Sequence, residues 1–577
     1  MNRTCDVLVI GSGAGGLSTA ITAKKAGLDV LVIEKAECFG GTTAFSGGVL
    51  WIPDNALGKA QQAGDSLALA RTYLRDQAGD HYDHDAIEAF LKNGPPMVDF
   101  FQRETAVKFV PTLYPDYHPD APGGLDVGRS ILAAPFDIRE LGADMKRLRP
   151  PLKTITFIGM MFNSSNADLK HFFNATRSLT SFVYVAKRLA THIKEMLVYR
   201  RGTQVTSGNA LAARLAKAAL DLNIPILTAT TARQLLKDQG RISGALVMTA
   251  QGELRIDARR AVVLAGGGFS HDLQRLREAY PHVNRGGEHF SPVPDSNTGD
   301  GARMAEAVGG RVDIRLKAAA AWMPVSKVPD GKGNFTAFPH LLDRYKPGVI
   351  GVDVVGKRFT NESNSYHDVG EAMIANDARR ADTAMWLVCD ARTLGKYGLG
   401  FAKPSPMPLA GLIRKGYLFK GRTLAELAQR AGIDAAGLVR TVEQYNLGAN
   451  AGVDREYSRG TTTFNRYLAD AAHQPNPCVA PMGAGPYYAV KTVMGDLGTF
   501  DGLRTSVVGQ VLDSQDQPIE GLFAVGNDRA SIMGGNYPGA GITLGPIMTF
   551  GYITGRHLAG LDRPDTETTR QRREQTA

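Results

Sequence analysis

Residues 6–34 carry the pattern that most constrains the fold of this chain. An apolar run, 7–10, leads into Gly11-Ser12-Gly13-Ala14-Gly15-Gly16, and a helical segment, 17–26, precedes a second apolar run, 30–33, that ends in Glu34. Strand, glycine turn, helix, second strand and terminal acid stand in the order of a dinucleotide-binding βαβ unit. A lone glycine motif would indicate only a structural turn. The full context predicts a Rossmann-like parallel sheet with a pyrophosphate at its edge.

Each glycine of this unit has its own task. Gly11 permits the tight turn, Gly13 lets the backbone approach a pyrophosphate, and Gly16 lets helix and strand pack closely. The helix N-terminus presents backbone N–H groups to the phosphates. Glu34 is placed to accept hydrogen bonds from ribose hydroxyls. The remaining cofactor contacts expected in this turn are Ser12, Ala14 and Gly15.

The residues after Glu34 indicate which dinucleotide is bound. The run 35–48, Lys-Ala-Glu-Cys-Phe-Gly-Gly-Thr-Thr-Ala-Phe-Ser-Gly-Gly, resembles the extended signature of FAD-dependent oxidoreductases. A dehydrogenase that binds only a nicotinamide cofactor does not need this extension. No histidine lies near the Gly-Gly turn to attach a flavin, so the resemblance implies non-covalent FAD. The contacts it implies here are Lys35, Gly40, Gly41, Thr42, Thr43, Ser46, Gly47 and Gly48.

Two central segments resemble further parts of an FAD site. Residues 265–269 follow an apolar strand, 260–264, and resemble the segment near the adenosine half of FAD. The loop 296–301 resembles one that closes over the flavin, and its alternative role is a helix N-cap turn. The contacts expected from the middle of the chain are Ala265, Gly266, Gly267, Asn297 and Thr231.

A second glycine-rich stretch, containing a tyrosine, lies near the C-terminus. A strand, 522–525, leads into Gly526-Asn527-Asp528, and the run 536–545, Asn-Tyr-Pro-Gly-Ala-Gly-Ile-Thr-Leu-Gly, follows. A helix predicted over 541–552 would point the positive end of its dipole at the flavin ring. The two ends of the chain must therefore meet in space. The cofactor contacts expected here are Gly526, Asn527, Asp528, Gly541, Thr543 and Leu544.

From about residue 5 to 559 the pattern resembles the fumarate reductase/succinate dehydrogenase flavoprotein superfamily. Within it, Tyr-Pro-Gly-x-Gly at 537–541 and the following 543–546 are similar to the 3-ketosteroid Δ1-dehydrogenase family. This resemblance implies that Tyr537 and the Gly541 N–H bind the substrate C3 carbonyl. It further implies that Tyr366, at the end of the run 356–366, removes a proton and that Tyr117 supports it. His118 departs from the family, which has a second tyrosine there.

The implied reaction is FAD-dependent 1,2-desaturation of a 3-ketosteroid, with the C2 proton removed and the C1 hydride passing to flavin N5. Desaturation of a 3-oxo-5α-steroid at C4–C5, or of another cyclic ketone, stays open. In fumarate reductases an arginine occupies the position of Tyr366, so a dicarboxylate substrate fits poorly. The intact phosphate turn argues against a non-catalytic binder of the same fold. For each tyrosine taken singly, the alternative is ordinary core packing.

The resemblance also implies the domain organisation. The fold class is α/β (α+β), with a discontinuous Rossmann-like FAD-binding domain over 1–319 and 491–577. A substrate-binding cap domain, 320–490, is inserted in it. The tail after Arg563 is polar and charged, which predicts disorder.

One insertion in the FAD-binding domain holds most of the net charge of +9. Residues 147–201 contain ten basic and two acidic residues, so a local basic surface is expected and nucleic-acid binding is not. Apolar residues recur at helical spacing from Phe182 to Leu197, near an apolar patch, 155–162. A basic amphipathic helix of this kind suits an anionic membrane surface. A lid packed on the FAD-binding domain, or a subunit interface, is the alternative.

Cysteine spacing and the length of the apolar runs limit which metal-binding and membrane functions the chain can have. The four cysteines, at 5, 38, 389 and 478, form no CxxC pair and no His/Cys metal spacing, so we expect reduced thiols and no metal site. No apolar run reaches the ~18 residues that a membrane span needs, and the start lacks a secretory pattern. We expect a cytoplasmic protein, peripheral at the membrane if the basic helix binds there. The sequence does not identify the electron acceptor.

Overall fold

The computed structural model describes residues 3–157, 159–161, 171, 178–314, 316–376 and 383–561. The end of the apolar patch at Phe162, three charged residues of the basic insertion and the tail after Arg563 lie outside the described residues. Those three are Asp168, Lys170 and Arg177.

The larger sheet brings the two ends of the chain together. Strand Arg3–Ile10 lies between Val30–Ile33 and Gly252–Leu264 and is parallel to both. Strand Pro518–Ala524 joins the other side of Gly252–Leu264, again in parallel. The sheet is completed by Gln510–Leu512, Ile226–Leu227, Thr231–Asp238 and Arg241–Thr249. The predicted α/β fold with a Rossmann-like sheet is confirmed.

Two helices from opposite ends of the chain pack on this sheet at close range. Helix Ala14–Lys25 faces helix Leu544–Leu558. A Cβ on Gly551 would lie 2.0 Å from Ser18 Oγ, so only glycine allows this approach. The C-terminal helix begins three residues after the predicted start because Gly541 has a φ of +96°, outside the right-handed helical region.

A second, antiparallel sheet forms the other half of the molecule. Its strands run in the order Phe335–Pro339, Ala320–Pro329, Tyr487–Thr499, Ala384–Asp390 and Ile350–Val352, and Phe419–Gly421 also pairs with Tyr487–Thr499. The predicted domain border at 490/491 falls inside Tyr487–Thr499, which pairs continuously from Tyr487 to Val493 with Ala384–Asp390. One strand belongs to one sheet, so we propose that the second domain ends after Thr499. Residues 487–494 contain no glycine or proline that would have marked this continuous strand as a border or a break.

Smaller sheets and further helices complete the described part of the fold. A three-stranded sheet consists of Val49–Trp51, Ser130–Ala133 and Phe109–Pro111, and two short pairs are Phe136–Asp137 with Gln204–Val205 and Val312–Asp313 with Gly502–Leu503. The other α-helices formed by the described residues are Ala56–Ala60, Leu67–Ala78, His84–Glu104, Leu179–Tyr199, Ser207–Asp221, Leu273–Ala279, Pro281–Asn284, Asp300–Glu306, Tyr366–Asn376, Ala391–Tyr397, Ala410–Arg414, Leu424–Ala431, Ala435–Ala449 and Thr463–Tyr467. None of the helices formed by the described residues is both long and apolar enough to cross a membrane.

Candidate active site

A cavity opens at the carboxyl ends of the central parallel strands, where ligands bind in open α/β sheets. It has about 1100 Å³ of empty volume, including the solvent at its mouth. The structure brings most of the predicted cofactor contacts to its wall: Gly11, Ser12, Gly13, Ala14, Gly15, Glu34, Lys35, Gly41, Thr42, Thr43, Ser46, Thr231, Ala265, Gly266, Gly267, Asn297, Gly526, Asn527, Asp528, Thr543 and Leu544. Segments more than 500 residues apart in sequence thus share one cavity.

The other predicted contacts do not line this cavity. A Cβ on Gly16 would lie 2.1 Å from the carbonyl oxygen of Gly11, so Gly16 serves helix–strand packing. Gly40 donates its N–H to Ser12 Oγ at 3.2 Å and supports the turn from outside. The other predicted contacts that do not line the cavity are Gly47, Gly48 and Gly541. Conversely, sequence reasoning missed several lining residues that are not themselves members of a glycine motif: Ile10, Thr230, Ala232, Met304, Leu497 and Ile547.

The donor set at the first turn fits a dinucleotide. Helix Ala14–Lys25 begins at the cavity wall, and its N-cap residue, Gly13, has no side chain to occupy the free N–H groups. Glu34 accepts from Ser12 Oγ at 2.5 Å and from Ala36 N at 2.9 Å. With the Ser12 N–H as a third donor at 3.1 Å, about one lone pair of the carboxylate is left for a ribose hydroxyl.

Side chains from the later segments close the cavity. Asp528 accepts from the N–H groups of Gly266 at 2.6 Å and Gly268 at 3.0 Å, which joins the two glycine-rich segments. Burial raises the pKa of the Asp528 carboxyl. Asn297 Nδ2 donates to Thr42 Oγ1 at 2.9 Å. Lys35 Nζ forms an ion pair with Asp300 at 2.7 Å and so holds the loop 296–301 against the cavity.

Three predicted tyrosines form a compact cluster. Tyr117 OH donates to Tyr366 OH at 3.3 Å. The Tyr117 and Tyr537 rings are stacked with centroids 5.5 Å apart, and Tyr366 meets Tyr537 edge-on at 5.1 Å. All three are buried, with exposed fractions of 8%, 9% and 4% for Tyr117, Tyr366 and Tyr537. Residues that are remote in sequence therefore present their hydroxyl groups to one small region.

A buried ion-pair network places Tyr117. Its neighbour Asp116 accepts from Arg129 at 2.7 Å and from Trp51 Nε1 at 2.7 Å, and Arg129 also pairs with Asp65. Burial raises the pKa of Asp116 to about 6 although Arg129 opposes this shift. The network holds the backbone so that the Tyr117 N–H donates to the Pro538 carbonyl at 2.9 Å.

The turn after Tyr537 is shaped by close backbone contacts. Tyr73 OH also donates to the Pro538 carbonyl, at 2.6 Å. A Cβ on Gly539 would lie 2.6 Å from the Trp51 ring, and a Cβ on Gly541 would lie 2.5 Å from the Val49 carbonyl oxygen. Among the described residues, the Gly541 N–H has no hydrogen-bond acceptor. The turn thus leaves one backbone donor four residues after Tyr537.

A second buried network places Tyr366. Arg358 forms paired hydrogen bonds with Glu362, at 2.8 Å each, and pairs with Asp454 at 2.7 Å. Arg459 contacts Glu362 at 3.3 Å and donates to the Arg344 carbonyl at 2.7 Å. The three residues Arg358, Glu362 and Arg459 are at most 1% exposed. Together they hold the segment that leads directly into helix Tyr366–Asn376.

His118 and Asp368 connect the neighbours of two tyrosines. His118 Nε2 lies 3.1 Å from Asp368 Oδ2, so the residue after Tyr117 is paired with a residue in the first turn of the Tyr366 helix. Burial lowers the pKa of His118, but the hydrogen bond and charge of Asp368 outweigh it and the net shift is upward. The pair thereby links the smaller three-stranded sheet region to the second domain beside the cluster.

The cluster holds neutral phenols. Burial raises the pKa of Tyr366 and of Tyr117 well above their ordinary value of about 10, and it also raises the pKa of Tyr537. For Tyr366, repulsion between its phenolate and those that Tyr117 and Tyr537 would form on ionisation adds to the upward pKa shift. A neutral phenol is a hydrogen-bond donor, so this environment suits a group that polarises a carbonyl.

Sequence reasoning missed the aromatic residues around the tyrosines. Phe464 packs on Tyr117 with ring centroids 4.5 Å apart, and Phe500 lies 6.2 Å from Tyr537. His367 lies 6.0 Å from Tyr537, and burial lowers its pKa to about 4. None stands in a glycine motif; only the position of His367 directly after Tyr366 could have drawn attention to it.

Comparisons with known proteins agree with the geometry. A family model described as FAD binding domain matches residues 6–544. A 4-oxocyclohex-2-ene-1-carboxylate 5-dehydrogenase of Sinomonas cyclohexanicum is 43% identical over 564 residues, 97% of this chain and 95% of that protein. A 3-oxosteroid 1-dehydrogenase of Mycobacterium tuberculosis is 36% identical over 568 residues, 96% of this chain and 98% of the relative.

A solved structure is similar over nearly the whole chain. It is the 3-ketosteroid Δ1-dehydrogenase from Sterolibacterium denitrificans in complex with 1,4-androstadiene-3,17-dione. The TM-score is 0.87 at 36% sequence identity, and the match covers 97% of this chain and 100% of the other.

Proposed function

Because the chain belongs to the 3-ketosteroid Δ1-dehydrogenase family of FAD-dependent oxidoreductases, we propose that it desaturates a 3-ketosteroid between C1 and C2. Its cofactor is FAD, which we propose is bound without a covalent link. The observation that carries the proposed reaction is the convergence of Tyr117, Tyr366 and Tyr537 in one buried cluster next to the Gly541 turn.

The ketone is held by two donors. Tyr537 donates from its neutral phenol and Gly541 from its backbone N–H to the C3 carbonyl oxygen. Both hydrogen bonds strengthen as negative charge develops on that oxygen, so they stabilise the enolate-like transition state. The raised pKa of Tyr537 keeps this donor protonated at neutral pH.

The C2 proton passes to Tyr366. Its oxygen must first be a phenolate, and the Tyr117 hydroxyl lies within hydrogen-bond distance of that oxygen, at 3.3 Å. The electron pair of the C2–H bond forms the C1–C2 double bond as the C1 hydrogen leaves with its own electron pair. Bound FAD supplies the acceptor for that hydride. The product is the 1,2-unsaturated ketone.

The charges around the cluster favour a neutral substrate. His118 is paired with Asp368 at 3.1 Å, and Lys317 contacts Glu371 at 3.4 Å and Asn536 Oδ1 at 2.9 Å. These basic groups already have carboxylate partners, so a substrate carboxylate would have to compete for them. Desolvating an unpaired carboxylate is costly, which supports an uncharged ketone.

A second candidate is a 4-oxocyclohexanecarboxylate-type ring ketone. It is favoured by the 43% identity to the Sinomonas cyclohexanicum dehydrogenase that carries such a substrate in its name. The same tyrosines would perform the same α,β-desaturation on a single ring. The two candidates differ in size and charge, and C4–C5 desaturation of a 5α-steroid differs from both in the position of the new double bond.

The deciding experiment is a substrate panel with the FAD-loaded protein and an artificial electron acceptor. The proposal predicts that 4-androstene-3,17-dione bleaches the flavin absorbance and gives the 1,4-diene, identified by mass spectrometry and NMR. Turnover of 4-oxocyclohexanecarboxylate without any steroid turnover would replace the first candidate by the second. No bleaching with any cyclic ketone would overturn both. A Tyr537→Phe protein should keep FAD and lose about 100-fold or more in kcat.

A further inference from the structure

The helix Leu179–Tyr199 of the basic insertion turns its polar side inward. Ser181 and His192 are buried, with exposed fractions of 6% and 5%, and Glu195 accepts from the Thr203 N–H at 2.9 Å. At 100° per residue these three positions lie on one side of the helix. A surface helix that packs on a core normally buries apolar residues, so this helix is inverted.

The outward side of the same helix is apolar; we call it the apolar face. Its large side chains are strongly exposed: Leu179 79%, Phe182 58%, Val183 57%, Ile193 59% and Leu197 70%. Together with Ala186 and Ala190 they fall within about 60° of one direction on the helix, roughly opposite the buried polar side. Contiguous exposed apolar surface of this kind marks an interaction site.

Positive charge borders the apolar face. From Leu179 to Arg201 there are five basic residues and one acidic residue, and the acidic one, Glu195, is held by the Thr203 N–H. Lys187 and Lys194 are exposed and lie about 70–90° from the centre of the apolar face, along one of its edges. Arg200 is exposed at the end of the helix. An apolar stripe flanked by lysines is the pattern of a helix that lies in an anionic lipid interface.

We propose that the apolar face and its flanking lysines dock this protein on a membrane surface that contains anionic phospholipids. Two copies of this helix would bring like charges together, which disfavours a dimer through the same face. A bilayer offers both complements at once, because acyl chains accept the apolar side chains and phosphate groups attract Lys187 and Lys194. The proposal does not depend on which ketone is the substrate.

Vesicle flotation of the FAD-loaded full chain tests this docking. The protein should float with phosphatidylcholine vesicles that contain phosphatidylglycerol, bind pure phosphatidylcholine less well, and be released in part by high salt. Ile193→Ser with Leu197→Ser should weaken binding more than tenfold because two exposed apolar anchors are lost. Lys187→Gln with Lys194→Gln should weaken it by about 25-fold, near fivefold for each lysine, on anionic vesicles only.

Matched controls separate docking from general effects. Leu273 and Leu447 are similarly exposed, at 69% and 61%, but lie elsewhere, so their serine variants should float like the unaltered protein. Lys92→Gln with Lys332→Gln is the charge control. Flavin absorbance and ketone turnover in detergent-free buffer should be unchanged in all these variants.

Three outcomes would overturn the proposal. One is no flotation of the unaltered protein with anionic vesicles. Another is equal loss of binding in the controls. The third is a dimer, seen by sedimentation, that the Ile193→Ser, Leu197→Ser protein loses while neither protein floats, since the face would then bind a second copy.

Discussion

The cofactor cavity and the tyrosine cluster are built in different ways. The cavity is formed mainly by turns that follow the parallel strands of one mixed sheet, and many of its contacts are backbone groups made available by glycines. The cluster consists of side chains from three distant segments, aligned by buried ion pairs such as Arg129–Asp116 and Arg358–Glu362. Local geometry suffices for the first site, while the second depends on charges that themselves need partners. Cofactor binding in the cavity should therefore be lost when an added atom collides with the backbone. The alignment of the tyrosine cluster should be lost when a buried charged residue loses its ion-pair partner.

The largest effect is expected from a methyl group in the first turn. A Cβ on Gly11 would lie 2.1 Å from the Ala265 carbonyl oxygen, at a φ of +121°. We expect Gly11→Ala to be isolated without flavin or not to fold, as measured by absorbance at the flavin bands and by yield. Gly27→Ala is the control, since Gly27 also has a positive φ, +91°, but nothing lies within 4 Å of its Cβ. If the Gly11→Ala protein carried a full complement of FAD, the steric account of the cavity would be wrong.

Removing one hydroxyl from the cluster should affect catalysis but not cofactor binding. We expect Tyr366→Phe to lower kcat by about 100- to 10,000-fold, the range for loss of a general base, with unchanged FAD content. Stopped-flow measurement of flavin bleaching isolates this step from reoxidation. Tyr417→Phe is a matched control, because Tyr417 is buried and hydrogen-bonded to Ser326 at 2.8 Å but lies outside the cluster. Near-normal bleaching by the Tyr366→Phe protein would contradict its assignment as the base.

Removing a charge from the buried ion-pair network beneath the cluster should lower the free energy of unfolding more than it lowers the reaction rate. Glu362→Gln leaves the buried Arg358 and Arg459 with too little negative charge, and we expect a loss of about 3–5 kcal/mol in the free energy of unfolding. Denaturant titration of the FAD-loaded protein measures it. Glu456 also contacts Arg358, at 3.4 Å, but its side chain is 39% exposed, so Glu456→Gln should change little. Equal effects of the two changes would show that the network does not act through burial.

The smallest expected effect on stability comes from a change of pH. The pKa of His118 is raised above its ordinary 6.5 in the fold, so the stability that its charged form contributes is complete at low pH and is lost as pH rises through the raised pKa. Asp368→Asn should flatten this dependence and shift the unfolding temperature by only a few degrees; unfolding scans across neutral pH measure it. A dependence as steep as that of the unaltered protein would exclude the His118–Asp368 pair as its source.

The reaction rate should rise with pH, whereas the stability that His118 contributes falls with pH. Because burial raises the pKa of Tyr366 well above 10, the phenolate fraction stays small at neutral pH and kcat/KM should rise about tenfold per pH unit on the acid side of that pKa. The comparison of kcat/KM profiles for the Tyr366→Phe and unaltered proteins shows whether this residue is the source. A flat profile for the unaltered protein would mean that the phenolate does not limit the rate.

Some elements were predictable because their signals are local. Strand Val30–Ile33 has the predicted bounds, since a short apolar run that ends in an acid is a local signal. Other bounds moved where tertiary contacts add residues. Strand Gly252–Leu264 is longer than predicted because its first half pairs with Arg241–Thr249, a hairpin partner that periodicity alone did not suggest.

The sequence by itself determined the parallel sheet, the glycine turns and the chemical types available at the reactive site, because backbone conformation near glycine is a local property. Only the tertiary structure decided that the hydroxyls of Tyr117 and Tyr366 stand 3.3 Å apart, that Arg358 and Glu362 form the support beneath them, and that the helix Leu179–Tyr199 turns its apolar face outward. Amphipathic spacing defines two faces of a helix. Which of them meets protein and which meets solvent depends on the surface against which the helix packs.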